Sequence, residues 1–261
     1  MIAEADKRLM ATAPADFEAA RIPLGRLGLP ETGEIHVWYL DLGLLARSLQ
    51  SALDGHDDGT GSTKFTSGQL RFARRFFLRL LLGAYLGLPG KSVRINRSDR
   101  GKPVLDATSH PEELHFSMAK SGDRLLLGFS TTHHLGVDLE PANRRAHDPL
   151  GVARRYFSTR EAEALSSMSG AELDAAFLRT WACKEAVVKA SGEGIANQLC
   201  RFTIETNPEI QPMVLEFDGR DESPWFLALL HPEEAFIGAI AVPDRRQNIR
   251  AFRLLPAGSV T

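Results

Sequence analysis

Two short segments of this chain constrain it most: Gly136-Val137-Asp138-Leu139-Glu140 and, further along, Trp181-Ala182-Cys183-Lys184-Glu185-Ala186-Val187-Val188-Lys189. As a strand, the first sends Asp138 and Glu140 to one side and Val137 and Leu139 to the other. As a helix, the second places Glu185 and Lys189 on one face with Trp181 a turn before them. Either piece alone has an ordinary structural explanation, a solvated strand edge or a surface Glu/Lys pair contributing about 0.3 kcal/mol. Together they set charge at the margin of a core, because Val137, Leu139, Trp181, Ala182, Ala186 and Val187 supply apolar surface for burial. Carboxylates converging from a strand and a helix suit a hard cation that takes oxygen ligands and completes its shell with water and phosphate oxygens. Asp138, Glu140 and Glu185 are the candidate ligands, and Lys189 the candidate phosphate contact.

The pair Gly-Val-Asp-Leu-Glu and Trp-x-x-Lys-Glu-Ala-x-x-Lys resembles the signature of the 4'-phosphopantetheinyl transferases, in particular the two-lobed surfactin-synthetase-activating type. Further matches run from about Arg71 to Ile195: the arginine-bearing helix Ala73 to Leu81, the Gly101-Lys102-Pro103 turn, and Tyr156-Phe157-Ser158-Thr159-Arg160-Glu161 leading into the catalytic helix. The resemblance implies an α+β fold, a pseudo-dimer of two similar lobes with the active site in the cleft between them. It implies transfer of the phosphopantetheine arm of coenzyme A to a serine of an acyl-, peptidyl- or aryl-carrier protein, releasing adenosine 3',5'-bisphosphate. Asp138, Glu140 and Glu185 would then hold Mg2+, with Mn2+ as the alternative, and Glu185 would act as base, directly or through a water. Lys189 and Asp138 complete the implied catalytic set, and Arg75, Gly101, Lys102, Pro103 and Lys120 join them as coenzyme A contacts. Lys184 is read as supporting structure or a more distant phosphate contact, and Cys183 as a small buried residue.

One matched block departs from the family. Where it reads Phe-Asn-x-Ser-His-Ser-Gly-Asp, this chain has Phe116-Ser117-Met118-Ala119-Lys120-Ser121-Gly122-Asp123. Lys120 can replace histidine as a cation, but the serine hydroxyl has no substitute at Ala119, and Ser117 lacks the two-way hydrogen bonding of an amide. The block also reads as a hairpin turning at Ser121-Gly122-Asp123, and the two readings hold together.

The 261 residues are 43% hydrophobic and 25% charged, ordinary for a globular protein, and the formal net charge of -2 argues against general nucleic-acid or anionic-membrane binding. Two cysteines without metal-type spacing suit a reducing cytoplasm, and neither a signal peptide nor an apolar run long enough to span a bilayer is legible. We expect an N-terminal extension over 1–33 with a partial helix, a first lobe over 34–134 and a second over 135–261. A strand over Glu34 to Leu40, a helix over Asp41 to Leu53, a polar loop over Asp54 to Ser62 and a helix from a Ser67 cap to Gly87 are expected in the first lobe. Arg71, Arg75 and Arg79 share a stripe of that helix and suit a phosphate, Arg75 matching the family arginine. A faint repeat at an offset of 111 residues, Leu114 to Thr131 on Trp225 to Val242, agrees with two lobes and a working monomer.

The segment from Arg144-Arg145 through Arg154-Arg155-Tyr156-Phe157 is a candidate dock for an acidic carrier protein. Two further functions compete with transfer: a non-catalytic coenzyme A or carrier-protein binding module on the same fold, and a metal-dependent phosphohydrolase.

Overall fold

The computed structural model describes residues 16–54, 65–111, 114–192, 199–207, 209–221, 225–244 and 246–258. The loop expected over Asp54 to Ser62 therefore lies almost wholly outside the described residues, as does the first part of the expected extension, residues 1–15. Strand β1 (Glu18–Arg21) is followed by β2 (Glu34–Asp41), α1 (Leu42–Asp54) and α2 (Ser67–Leu86). Strands β3 (Ile95–Arg97), β4 (Pro103–Leu105), β5 (His115–Ser121), β6 (Arg124–Ser130) and β7 (Gly136–Pro141) come next. Helices α3 (Pro149–Tyr156), α4 (Thr159–Ser166) and α5 (Gly170–Ser191) precede β8 (Phe202–Ile204), β9 (Val214–Phe217), β10 (Arg220–Asp221), β11 (Phe226–Glu233), β12 (Phe236–Val242) and β13 (Asn248–Leu255). This is a mixed α+β architecture, and among the described residues no helix is long and apolar enough to cross a membrane.

Two sheets stack face to face. The larger has the order β1-β13-β2-β6-β5 and the smaller β11-β12-β7. Alternation along β2 decides what each face meets: Ile35, Val37 and Tyr39 join Leu126, Val137, Leu139 and Ile240 in the core between the sheets. Trp38 and Leu40 point the other way, into a core with Phe77, Leu81 and Leu82 of α2. On the far side, Ala182, Ala186 and Val187 of α5 cover Ala239 and Ala241 of β12. The order of layers is thus α2, five-stranded sheet, three-stranded sheet, α5. At the seam Gly128 is required by close packing, since a Cβ there would lie 2.7 Å from Leu135 and 2.9 Å from Val137.

Local chemistry fixes the helix ends. Thr66, rather than the expected Ser67, caps α2: its hydroxyl accepts from the Gln69 amide at 3.2 Å, and the Gln69 side chain accepts from the Thr66 amide at 2.8 Å. Gly87 closes the helix in the left-handed region at φ 66°. The described part of the expected extension does not stand apart from the core. Residues 18–21 form a strand parallel to β13, and Ile22, Leu24 and Leu27 pack on the α2 core. The boundary expected at 134/135 does not separate the sheets either, because β13 runs parallel to β2 inside the larger one.

Candidate functional site

Gly136 places the site. A Cβ at this position would overlap the Ala186 carbonyl and come within 2.5 Å of the Ala190 nitrogen, so only glycine lets the start of β7 lie directly on the α5 backbone. From that contact, β7 turns Val137 and Leu139 into the core between the sheets and presents Asp138 to the last turns of α5. Lys189 Nζ donates to Asp138 Oδ1 at 2.6 Å and stands 4.0 Å from Glu185 Oε2. Asp138 and Glu185 are buried, whereas Lys189 keeps more of its side chain in solvent.

The electrostatics show an acidic cluster held by two internal cations. Burial pushes the Glu185 carboxyl above its ordinary value; Asp138 and Glu140 add to the shift, while Lys189 and Arg144 oppose it. Asp138 Oδ2 is buried with no hydrogen-bond partner. Glu140, two residues along the same strand face, is in contact with the Arg144 guanidinium, which also lies over the Trp181 ring at 5.7 Å from its centroid. As they stand, no three His, Cys, Asp or Glu side chains among the described residues are arranged to hold a metal. The orphaned Asp138 oxygen and the unfavourable charging of Glu185 nevertheless fit a hard cation, because both describe carboxylate charge that internal partners leave uncompensated.

Lys102, from the Gly-Lys-Pro turn, reaches the same corner in a different role. Its Nζ donates to the Leu135 carbonyl at 2.9 Å and the Lys189 carbonyl at 2.7 Å, tying the β3–β4 hairpin to the entry of β7 and the end of α5. Burial, with the Lys189 charge adding, lowers the Lys102 ammonium to about 8.

The other predicted residues lie apart from this corner. Arg75 is exposed, and with Arg71, Arg79 and Lys91 it lines a groove of about 830 Å3 between α2 and the Gly90 turn. Arg79 is committed to the Val93 carbonyl. In the departing block, Ala119 packs between the sheets and Lys120 is exposed at the end of β5, while Ser117 Oγ accepts from the Val137 amide at 3.2 Å and so stitches β5 to β7. Of the candidate docking arginines, Arg145 meets Asp174 at 3.4 Å and Arg155 lies over the exposed Tyr156 ring.

Lys184 resolves to structure. Its fully buried ammonium sits 2.8 Å from Glu161 Oε2 and donates to the Leu199 and Phe202 carbonyls. Glu161 in turn accepts from the Ser158 amide, as the return arm of the α4 capping box, and from the Ile204 amide. Cys183 is wholly buried, its thiol pushed up to about 12 by desolvation.

Residues 134–241, which carry β7, α5 and β12, match the family described as the 4'-phosphopantetheinyl transferase superfamily. Over 214 residues the chain is 33% identical to the 4'-phosphopantetheinyl transferase HetI of Nostoc sp., an alignment covering 80% of this chain and 87% of that protein. It is 28% identical over 209 residues to the L-aminoadipate-semialdehyde dehydrogenase-phosphopantetheinyl transferase of Homo sapiens, covering 70% of this chain and 67% of the relative. A shorter match, 28% over 134 residues, links it to the 4'-phosphopantetheinyl transferase psf-1 of Bacillus pumilus, covering 51% and 54% of the two chains. The chain belongs to the 4'-phosphopantetheinyl transferase family.

Proposed function

We propose that this protein is a Mg2+-dependent 4'-phosphopantetheinyl transferase of the two-lobed, surfactin-synthetase-activating type, working as a cytoplasmic monomer with coenzyme A in a cleft between its lobes. The observation that carries the reading is the meeting of Asp138, Glu185 and Lys189 where Gly136 lays β7 on α5. Asp138, Glu140 and Glu185 would hold the cation, which when bound neutralises charge on the coenzyme A pyrophosphate and on the departing nucleotide.

The acceptor serine of a carrier protein attacks the phosphorus that bears the pantetheine arm. A new P–O bond forms to the serine, the pyrophosphate P–O bond breaks, and adenosine 3',5'-bisphosphate leaves with the bonding pair. Glu185, directly or through a water, takes the serine proton. Lys189, exchanging Asp138 for a phosphate oxygen, offsets charge on the transferring group, so positioning and charge neutralisation account for most of the rate. Lys102 contributes by orienting the Lys189 turn through its backbone carbonyl. Arg75 and the groove beside it supply a cationic surface for the 3'-phosphate, with Lys120 a second, exposed cation.

Intact-mass spectrometry of an apo carrier protein incubated with this protein, coenzyme A and Mg2+ tests the reading. We expect a gain of one phosphopantetheine that requires the metal and is lost in folded Asp138→Ala and Glu185→Ala variants. Binding of coenzyme A without any gain across several carrier types would point to a binding module, and cleavage of coenzyme A without an acceptor would point to a phosphohydrolase.

A further inference from the structure

The acidic corner holds three carboxylates against two internal cations, and those cations are differently committed. Lys189 is bonded at 2.6 Å to a buried carboxylate, and its side chain is 29% exposed. Arg144 has 46% of its side chain exposed but faces a Glu140 side chain that is only 14% exposed. The chain reaches this arrangement through a tight reversal: β7 stops at Pro141, and the Arg144 amide donates to the Pro141 carbonyl at 2.9 Å, which folds the arginine back over the residue four before it. The guanidinium is also seated against Trp181, itself stacked on Phe177 at 6.1 Å. Trp181 lies one turn before Glu185 on α5, so the arginine bridges the strand and helix that carry the candidate ligands.

A divalent cation added to this corner would leave it with excess positive charge unless an internal cation withdraws. Without a substrate phosphate to take Lys189 from Asp138, Arg144 is the one placed to do so. Its exposed guanidinium can be rehydrated at little cost, whereas Glu140 and the lysine-bound Asp138 are held in the protein.

We propose that Arg144 sets the affinity of the site for its divalent cation, by occupying Glu140 in the metal-free protein and being displaced from it when the cation binds. This rests on the assignment of Asp138, Glu140 and Glu185 as the ligands. Arg144 is therefore a tuning residue: it lowers affinity for the free ion while offsetting part of the charge of the acidic corner until substrate arrives. Because a bound pyrophosphate brings its own negative charge, the handicap imposed by Arg144 should shrink when coenzyme A is present.

The experiment is calorimetric titration of Mn2+ into the full-length protein without coenzyme A, for wild type, Arg144→Gln, Arg144→Lys, Glu140→Gln and the Glu140→Gln/Arg144→Gln double variant. Circular dichroism establishes that each is folded. Removing one competing, like-charged group should tighten Mn2+ binding about three- to tenfold in Arg144→Gln. Arg144→Lys, which keeps the charge without the planar contact to Trp181, should fall between the two and provides the test if the glutamine variant does not fold. In the Glu140→Gln background the gain should largely vanish. Unchanged or weaker Mn2+ binding in Arg144→Gln, beside a wild type that binds, would overturn the role of Arg144 and leave the ligand assignment standing. Wild-type protein that binds no Mn2+ with or without coenzyme A would overturn the ligand assignment itself, and this inference with it.

Discussion

Helices α2 and α5 do the same packing job on opposite outer faces of the two sheets, yet they treat charge in opposite ways. The arginines Arg71 and Arg75 of α2 stand in solvent beside an open groove, while Ala73, Phe77, Leu81 and Leu82 carry the packing. Helix α5 takes Arg179, Lys184 and Glu185 into the protein; Arg179 and Lys184 meet partners from other elements, while Glu185 has Lys189 of the same helix 4.0 Å away. Charge on α2 can change at small cost to the fold; charge on α5 cannot, because a buried ion that loses its partner keeps its desolvation penalty. The lesson is that α5 has two working faces. One, through Lys184 and Glu161, holds α4, α5 and β8 together; the other, through Glu185 and Lys189, presents the candidate chemistry.

Glu161→Ala should break the structural face most severely. It strands the Lys184 ammonium and leaves the Ser158 and Ile204 amides without their acceptor, so chemical denaturation should show a loss of about 3–5 kcal/mol. A loss below about 1 kcal/mol would mean that the two faces are not distinct in kind. Lys189→Ala sharpens the other side of the comparison. We expect transfer to fall by about 10²–10³-fold, as for loss of one preorganised charge-stabilising group, with a smaller loss of stability than in Glu161→Ala because the Lys189 side chain is 29% exposed. Arg75→Ala on α2 should raise the KM for coenzyme A several-fold, about 1 kcal/mol, and leave stability within about 0.5 kcal/mol.

The smallest effect concerns pH. Burial holds the Lys102 ammonium at about 8 in the folded protein, below its unfolded value of about 10.4. Between those values the unfolded chain binds the extra proton, so the penalty for burying this lysine is present below pH about 8 and is relieved as pH rises toward 10.4. Wild type should therefore gain stability relative to Lys102→Met across that window in denaturant titrations at stepped pH. A constant difference would contradict the shift.

The elements carrying the candidate site were legible because their patterns are local. Alternation of Val137 and Leu139 with Asp138 and Glu140 defines β7, and the i,i+4 spacing of Glu185 and Lys189 defines the outer face of α5. The pairing of β13 between β1 and β2 was not legible, since it joins segments from opposite ends of the chain and nothing in either records its neighbour. The second use of Glu161 is similar. Ser158-x-x-Glu161 reads as a capping box, but its contact with Lys184 depends on how α4 docks on α5. Lys102 read as a coenzyme A contact because the motif names a residue type, whereas the fold directs its amine to two backbone carbonyls. Arg144 read as a docking charge for want of a signal that the chain reverses after Pro141.

Transfer by Glu185→Gln tests the account most directly, because this change keeps the size of a buried side chain and removes its charge. The amount of phosphopantetheine on an apo carrier protein and the adenosine 3',5'-bisphosphate released should be measured together, in Mg2+ and at matched folded concentration. We expect a folded variant that forms neither product above background, beside a wild type that forms both in equal amounts. Equal formation of both at a wild-type rate would contradict it.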